Sequence, residues 1–422
     1  MKRNFYLTLI AGMIWLASSI YLAIWWVKSI IPYLPVLYVW WVIIGISLIP
    51  GFLMMSMFFS NILHFKTKKY PDTNIPTTVI MCAHNEEDII ISTIRCIRQQ
   101  LYKGTIRLLV IDNGSSDLTK EWVRQAISYS TSRCEIVYVY CGTLGKTNAL
   151  NKALELVTTK YFLTVDADTY LERHAVQRIM NHIAAKKSAC VAGNLFVKNE
   201  KKTLITRMQN YDYLLSIAAI KRFQGSYDST LVAQGAFSAY ETKAVKDLGG
   251  WTHSLGEDII LTYQLLSQGK KSTYEPTAVG YTTVPTTFNT LYNQRKRWAI
   301  GMIEGLSHVK PWRQKTLYSR YFTTLNLLII YMDLAFLFGF IPGVIWAFFG
   351  YYYFVGLLTL FTLCFSVLLF LSIYIYQKKL NIPFTNSLVG FIFFLLFFQL
   401  IQSPAAIHGY MLKLLHKKGT WE

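Results

Sequence analysis

Long apolar runs at both ends of the chain constrain its fold more than any other feature. Near the amino terminus, one run extends from about Phe5 to Trp26 and a second from about Leu34 to Phe59. Lys2 and Arg3 precede the first run, as in a signal peptide, but this run is too long for a signal peptide and another follows it. Both runs have the length of a membrane-spanning helix. We therefore predict two transmembrane helices within residues 1–65, in preference to a signal anchor followed by a buried core helix.

A second membrane region is predicted for residues 319–422. Its apolar runs cover about 321–340, 351–376 and 388–407, which gives two or three further helices. The last run contains Pro404, and the sequence leaves open whether it crosses the membrane or re-enters it. A full crossing would place Lys413, Lys417 and Lys418 outside, which the preference of positive charge for the cytoplasmic side opposes.

Basic residues beside the apolar runs set the predicted orientation. Lys66, Lys68 and Lys69 follow the second run, and Lys378 and Lys379 follow the fourth. Residues 66–287 are therefore expected on the cytoplasmic side of a plasma membrane. We attribute the net charge of +19 to contact with the anionic lipids of the cytoplasmic membrane face and to binding of an anionic nucleotide substrate. We expect no nucleic-acid partner.

The stretch between the membrane regions alternates strand and helix patterns. Strands are predicted at 77–83, 106–111, 135–140 and 161–165, with helices between them and short loops. This order predicts an α/β fold with a doubly wound, mostly parallel sheet. Polar residues gather after each strand, where open α/β sheets bind ligands. The six cysteines show no Cys-x-x-Cys spacing, which favours buried thiols in a reducing compartment.

Two carboxylates, Asp166 and Asp168, end the fourth strand. Hard oxygen ligands of this kind suit Mg²⁺ or Mn²⁺, although an Asp-rich turn has the same composition. Lys146 opens a helix after the third strand, where a cation opposes the helix dipole and a bound phosphate would explain it. Asp112 and Asn113, after the second strand, are equally compatible with a turn and a helix cap.

Two later segments carry further candidates. Glu257 and Asp258 open a helix, where acids also commonly complement the helix dipole. An amphipathic interface segment is predicted at 288–318 and contains Gln294, Arg297 and Trp298. Arginine can clamp a diphosphate and tryptophan can stack on a sugar, while the same pattern suits a helix lying on a membrane.

Taken in order, the motifs resemble those of membrane-embedded family 2 glycosyltransferases, and within them the processive poly-β-1,6-N-acetylglucosamine synthases, relatives of the cellulose, chitin and hyaluronan synthases. The resemblance covers about residues 76–310. It rests on Asn85-Glu86, Asp112-Asn113-Gly114-Ser115, Gly145-Lys146, Asp166-Ala167-Asp168, Gly256-Glu257-Asp258 and Gln294-Arg295-Lys296-Arg297-Trp298. Three positions depart from the usual pattern: Asn113 replaces Asp, Gly256 replaces Thr, and Gln234-Gly235 stands where Ser-Gly or Cys-Gly is common.

The resemblance implies a Rossmann-like GT-A domain between transmembrane helices. It implies inverting transfer from a UDP-sugar, taken as UDP-N-acetylglucosamine, to a β-linked polysaccharide that is extended at the inner membrane face and exported. A small membrane accessory subunit is a possible partner. The alternatives are transfer of one sugar to a lipid acceptor and, more remotely, a non-catalytic membrane transporter or scaffold.

The resemblance also implies roles for individual residues. Asp258 is the expected general base, with Glu257 beside it, and Asp168 and Asp166 are the expected ligands of Mg²⁺ or Mn²⁺. Arg297, Trp298 and Gln294 are expected to contact the acceptor and the diphosphate. The expected nucleotide-sugar contacts are Glu86, Asp112, Asn113, Lys146 and Asp166.

Overall fold

The computed structural model describes residues 2–66, 68–382 and 387–415. Lys417 and Lys418, which contributed to the predicted orientation, lie outside these residues. The described chain forms one α/β domain with apolar helices on both sides of it in sequence.

A mixed eight-stranded sheet forms the centre of the α/β domain. Its strands are β1 Thr77–Ala83, β2 Ile106–Asp112, β3 Cys134–Tyr140, β4 Tyr161–Val165, β5 Tyr170–Leu171, β6 Cys190–Val197, β7 Phe237–Glu241 and β8 Ser272–Thr282. Their order in the sheet is β3-β2-β1-β4-β7-β6-β8-β5. The first four strands are parallel, as the sequence predicts. β7 runs antiparallel to both β4 and β6, so the doubly wound sheet is mixed.

Helices cover both faces of this sheet and bury its apolar side chains. They are Ile90–Arg98, Thr119–Ile127, Lys146–Leu156, Ala175–Lys186, Leu204–Tyr213, Ile220–Gly225, Thr242–Lys246 and Glu257–Ser267. Leu163 of β4 packs with Ile94 and Val176 on one face, while its neighbour Phe162 packs with Leu150 and Leu265 on the other. This two-sided burial explains the uninterrupted apolar strands of the sequence.

The reversed strand β7 shapes the ligand-binding edge of the sheet. Its first residue, Phe237, pairs with Val165 at the carboxyl end of β4. The preceding loop therefore lies beside the strand-end acids, and the Asp166 N–H donates to the Ala236 carbonyl oxygen at 3.3 Å. This loop comprises residues 232–236.

Within the described residues, five helices are long and apolar enough to cross a membrane. We number them first to fifth: Lys2–Ile30, Val36–Leu63, Leu317–Phe348, Thr359–Lys379 and Leu388–Leu414. A further helix, Phe288–His308, joins the α/β domain to the third apolar helix, and we call it the interface helix. A short 3₁₀ turn, Pro311–Arg313, follows the interface helix.

The fifth apolar helix contacts the α/β domain and the interface helix at its two ends. Just before it, Ser387 exchanges hydrogen bonds with the Tyr211 hydroxyl, its N–H donating at 2.8 Å and its carbonyl accepting at 2.9 Å. Near its end, Lys413 forms an ion pair of 2.8 Å with Glu304 of the interface helix. This 27-residue helix is about 40 Å long, so it links two contacts that are far apart.

Candidate active site

A cavity of about 410 Å³ opens where the carboxyl end of β4, the loop before β7 and the interface helix meet. Other walls come from the helix start at Glu257 and from 214–219, a π-helical segment between two α-helices. Eight of the predicted site residues line it: Lys146, Asp166, Asp168, Glu257, Asp258, Gln294, Arg297 and Trp298.

Lys146 and Asp166 line the cavity and contact each other. The helix that Lys146 opens begins after Gly145, whose φ of 118° is a conformation that glycine adopts readily. The Lys146 Nζ lies 2.6 Å from Asp166 Oδ1. Burial alone would lower the pKa of Lys146, but the charges of Asp166 and Glu257 outweigh it and raise this pKa. Lys146 is therefore a cation at neutral pH. The Asp166 carboxylate that it contacts also lines the cavity.

Asp168 lies beside Asp166 and has weak protein contacts. Its carboxylate accepts from the Thr282 and Thr169 hydroxyls at 3.3 Å. Burial, and then the charge of Asp166, raises the pKa of Asp168. Glu86 does not line the cavity, but the same two acids affect its titration. Burial, and then the negative charges of Asp168 and Asp166, raises the pKa of Glu86 to about 7. This is a site with excess negative charge.

These oxygen donors fit a divalent cation. Asp166 and Asp168 are neighbouring carboxylates, which suit Mg²⁺ or Mn²⁺; these ions commonly keep water and substrate phosphate oxygens as their other ligands. Within the described part of the chain, no group of three or more His, Cys, Asp or Glu side chains is placed to hold a metal alone. The protein donors would therefore need the oxygens of a substrate to complete the coordination.

Asp258 and Glu257 line the same cavity from the start of their helix. The Asp258 carboxylate accepts from the Ile259 N–H at 2.8 Å and lines the cavity, while Glu257 is more deeply buried, with 5% exposure. Burial raises the pKa of both carboxyls, in Glu257 together with the charge of Asp258, whereas Lys146 and Lys221 oppose the rise in Asp258. Asp258 is thus a carboxylate whose basicity is above that of an ordinary aspartate.

Gly256, which departs from the family pattern, has a steric explanation. A Cβ on Gly256 would lie 2.5 Å from the carbonyl oxygen of Gly301 and 2.6 Å from its Cα. The loop before the two acids and the interface helix therefore touch backbone to backbone at paired glycines. This contact sets how closely the interface helix approaches Asp258.

The interface helix presents Gln294, Arg297 and Trp298 to the cavity. Its Arg295 points away from the cavity and forms a buried ion pair, with Nη2 2.7 Å from Asp212 Oδ2. The Arg295 guanidinium also lies 4.1 Å from the centroid of the Trp298 ring. Sequence reasoning missed this pair, since the two residues are 83 positions apart and only their charges hint at it.

Lys221 lines the cavity, although the sequence did not lead us to predict it as a site residue. Its Nζ donates to the Gln234 side chain, whose Nε2 donates to the Gly193 carbonyl at 2.7 Å. Burial lowers the pKa of Lys221 to about 7, against the charge of Asp258, which raises it. The sequence signal that could have revealed Lys221 is a cation among the apolar residues of a predicted helix. Gln234 also replaces the small residue common in the family.

Asp112 and Asn113 do not line the cavity. Asp112 is 1% exposed, and its carboxylate accepts from the Tyr138 hydroxyl and the Ser115 N–H, both at 2.9 Å. Asn113 accepts from the Gly145 N–H at 2.7 Å and donates to the Thr143 carbonyl at 2.7 Å. In this structure these side chains fix the loop before Lys146, and their predicted nucleotide contacts stay predictions.

A protein-family model decides the class of this domain. The Glycosyl transferase family 2 model matches residues 78–249. The chain contains a family 2 glycosyltransferase domain. This confirms the family that the ordered motifs predict.

Curated relatives of this glycosyltransferase domain include poly-β-1,6-N-acetyl-D-glucosamine synthases. The protein from Staphylococcus aureus strain MSSA476 is 30% identical over 251 residues, which are 58% of this chain and 60% of that protein. The protein from Staphylococcus epidermidis is 28% identical over 224 residues, 53% of each chain. The aligned region thus spans about 60% or less of the length of these relatives.

A solved structure supports the GT-A fold of the glycosyltransferase domain. A mannosyltransferase from Pyrobaculum calidifontis, in complex with GDP-Man and Mn²⁺, superposes with a TM-score of 0.56 at 17% identity. The match covers 87% of this chain and 99% of that one. The predicted GT-A architecture, flanked by apolar helices, is confirmed.

Proposed function

We propose that the chain transfers a sugar from UDP-N-acetylglucosamine to the end of a β-linked polysaccharide, with inversion at the anomeric carbon. The observation that carries this proposal is the single cavity shared by Asp168, Lys146, Asp258 and Arg297. The names of the staphylococcal relatives support the choice of donor and product.

Asp258 is proposed as the general base. The acceptor hydroxyl attacks the anomeric carbon, its proton passes to Asp258, and the bond between that carbon and the diphosphate oxygen breaks to release UDP. A base is most effective when its pKa is near the working pH, and burial shifts Asp258 in that direction. Asp258 is favoured over Glu257 because Glu257 is buried more deeply, with 5% exposure.

Lys146 and Arg297 are proposed to stabilise the negative charge that develops on the leaving diphosphate. Asp168 and Asp166 would hold Mg²⁺ or Mn²⁺, which when bound supplies further charge stabilisation to the leaving group. Trp298, with 43% exposure, offers a ring face on which the acceptor sugar can stack. Gln294 would orient the acceptor beside it.

The proposed membrane topology follows from the fifth apolar helix. We assign the first four apolar helices as crossings of the plasma membrane and the fifth as a helix lying at its cytoplasmic face, because both of its ends contact the glycosyltransferase domain or the interface helix. This arrangement keeps Lys413 on the same side as Lys66 and Lys68, as positive charge prefers. The proposed export path runs between the crossing helices.

The first experiment measures UDP release by the detergent-purified full chain, with Mg²⁺ or Mn²⁺ and with UDP-N-acetylglucosamine, UDP-glucose or UDP-glucuronate offered singly. We expect metal-dependent release with UDP-N-acetylglucosamine that Asp258→Asn reduces at least about 100-fold. Asp247→Asn, an exposed aspartate of the same domain, is the matched control and should retain activity. Full activity of folded Asp258→Asn protein would refute the proposed base.

The size of the product tests the polymer. Gel filtration of the radiolabelled product should show chains of many sugars that grow with time. A product of one sugar on a lipid would refute polysaccharide synthesis while leaving the transferase chemistry intact.

A further inference from the structure

A second cavity, of about 130 Å³, lies outside the active site, where the glycosyltransferase domain meets the second and fourth apolar helices. Its walls include four cationic side chains and one carboxylate: Lys66, Lys68, Lys186, Arg222 and Glu275. We call it the junction pocket. It lies beside the last residues of two apolar helices, so with these helices as membrane crossings we expect it at the depth of lipid headgroups.

Arg222 forms the floor of the junction pocket and is 6% exposed. Its Nη2 donates to the carbonyl oxygens of Asn61 at 3.1 Å and His64 at 2.6 Å, and its guanidinium lies 3.4 Å from the centroid of the Tyr376 ring. Its Nη1 is buried and has no hydrogen-bond partner among the residues that the structure describes. A buried guanidinium donor without an acceptor is costly, so this atom indicates an acceptor that is not part of the described chain.

Two more buried polar atoms belong to residues of the same pocket. The Tyr274 hydroxyl and His182 Nε2 also lack partners within residues 2–66, 68–382 and 387–415. His182 is 5% exposed, and its Nδ1 lies 2.8 Å from Glu275 Oε2. When the imidazole carries both protons, its Nε2 becomes a further donor.

Glu275, the one carboxylate among the residues that line the pocket, is hydrogen-bonded by its neighbours. Both carboxylate oxygens of Glu275 are engaged, one by His182 and the other by the N–H of Thr277 at 3.0 Å and by its hydroxyl. Lys186 has only a long contact of 3.4 Å with Asp228, and Lys66 and Lys68 are exposed at the rim. The pocket thus combines buried hydrogen-bond donors with exposed cations at its rim, and both kinds of group bind phosphate.

We propose that the junction pocket binds a phosphate group, with Arg222 and Tyr274 as its buried donors and Lys66 and Lys68 as its rim cations. The location favours the headgroup phosphate of an anionic lipid as its source, and free phosphate has the same chemistry. The site is separate from the proposed catalysis, and its test measures binding rather than turnover.

The test uses the full chain in nonionic detergent and a short-chain fluorescent phosphatidylglycerol, with binding followed by fluorescence polarisation. We expect saturable binding, and weak or absent binding of the matching phosphatidylcholine probe. Lys66→Gln with Lys68→Gln should weaken binding about 30-fold, since each lysine near an anionic lipid contributes roughly a factor of five. Lys69→Gln, an exposed neighbour that does not line the pocket, is the matched control and should change binding less than about twofold.

Arg222→Gln should abolish saturable binding, and gel filtration will show whether this variant folds. If it does not, the lysine pair still decides the question, because both side chains are exposed. Equal loss with Lys69→Gln, or equal binding of phosphatidylcholine, would overturn the site. Displacement of the lipid by inorganic phosphate at the concentration that the lipid itself requires would support the phosphate site and assign it to free phosphate.

Discussion

The buried pair of Asp212 and Arg295 gives a quantitative prediction. The two side chains are 10% and 3% exposed and 2.7 Å apart. Replacing Asp212 by Asn leaves the Arg295 charge buried without compensation, which costs about 3–5 kcal/mol in other proteins. For a unit of 150–250 residues each kcal/mol lowers the melting temperature by about 2–4 °C, so Asp212→Asn should lower it by about 6–20 °C.

The same substitution should also impair activity, because Arg295 supports the Trp298 ring from 4.1 Å. A displaced Trp298 should lower kcat/KM for UDP release about tenfold, measured well below the melting temperature of the variant. Glu155→Gln is the matched control, since it removes an acid from an exposed pair and should shift the melting temperature by less than about 2 °C.

A double variant separates stability from activity. Asp212→Leu with Arg295→Met replaces the ion pair by apolar side chains, which is often neutral or stabilising, so most of the lost thermal stability should return while activity stays low. If Asp212→Asn melts like the unmodified protein, the pair does not stabilise the fold. If the double variant melts as low as the single one, uncompensated charge is not the cause.

Three further predictions concern the contacts around Asp258. Gly256→Thr should force the interface helix away from the contact at Gly301. We expect this to lower the free energy of unfolding, measured by thermal denaturation, by about 1–3 kcal/mol and to remove most of the activity. The control Gly249→Asn lies in open space at positive φ and should be tolerated. Lys221→Gln removes a charge that lowers the pKa of Asp258, so the acid limb of the pH profile of kcat/KM should move to higher pH. A shift of this limb to lower pH would contradict the prediction. The control Lys152→Gln should leave the limb unchanged. Glu304→Gln should lower kcat about tenfold, since Glu304 accepts from the Leu255 N–H at 3.1 Å and from Lys413, and an unchanged kcat in the UDP-release assay would show that this contact does not position the loop.

The parts of the fold that depend on local pattern could be predicted. Strands such as 161–165 are short, apolar and bounded by polar turns, and the parallel order of the first four follows from the helices between them. The reversal of β7 could not be predicted, because it depends on how the loop 226–236 returns to the end of β4. The sequence leaves open whether the fifth apolar helix crosses the membrane, since its length and composition suit a crossing, and the course assigned above remains a proposal.

The candidate site shows the same division. Asp166, Asp168 and Lys146 stand at strand or helix ends, where sequence position alone brings side chains to one edge. The interface helix, by contrast, is held beside the site by contacts between residues that are far apart in sequence. These contacts join Asp212 with Arg295 and Gly256 with Gly301. Neither contact has a local signature, although the glycine in place of the usual Thr before Glu257 marks where the second one lies.

These long-range contacts converge on the interface helix. Along one helix, Arg295 fixes Trp298, Gly301 meets the loop before Asp258, and Glu304 joins that loop to Lys413 of the fifth apolar helix. The distance between the proposed base and the proposed acceptor surface is therefore set by packing between the glycosyltransferase domain and membrane helices. We therefore expect the apolar helices to influence catalysis, because the fifth one contacts the interface helix that lines the cavity.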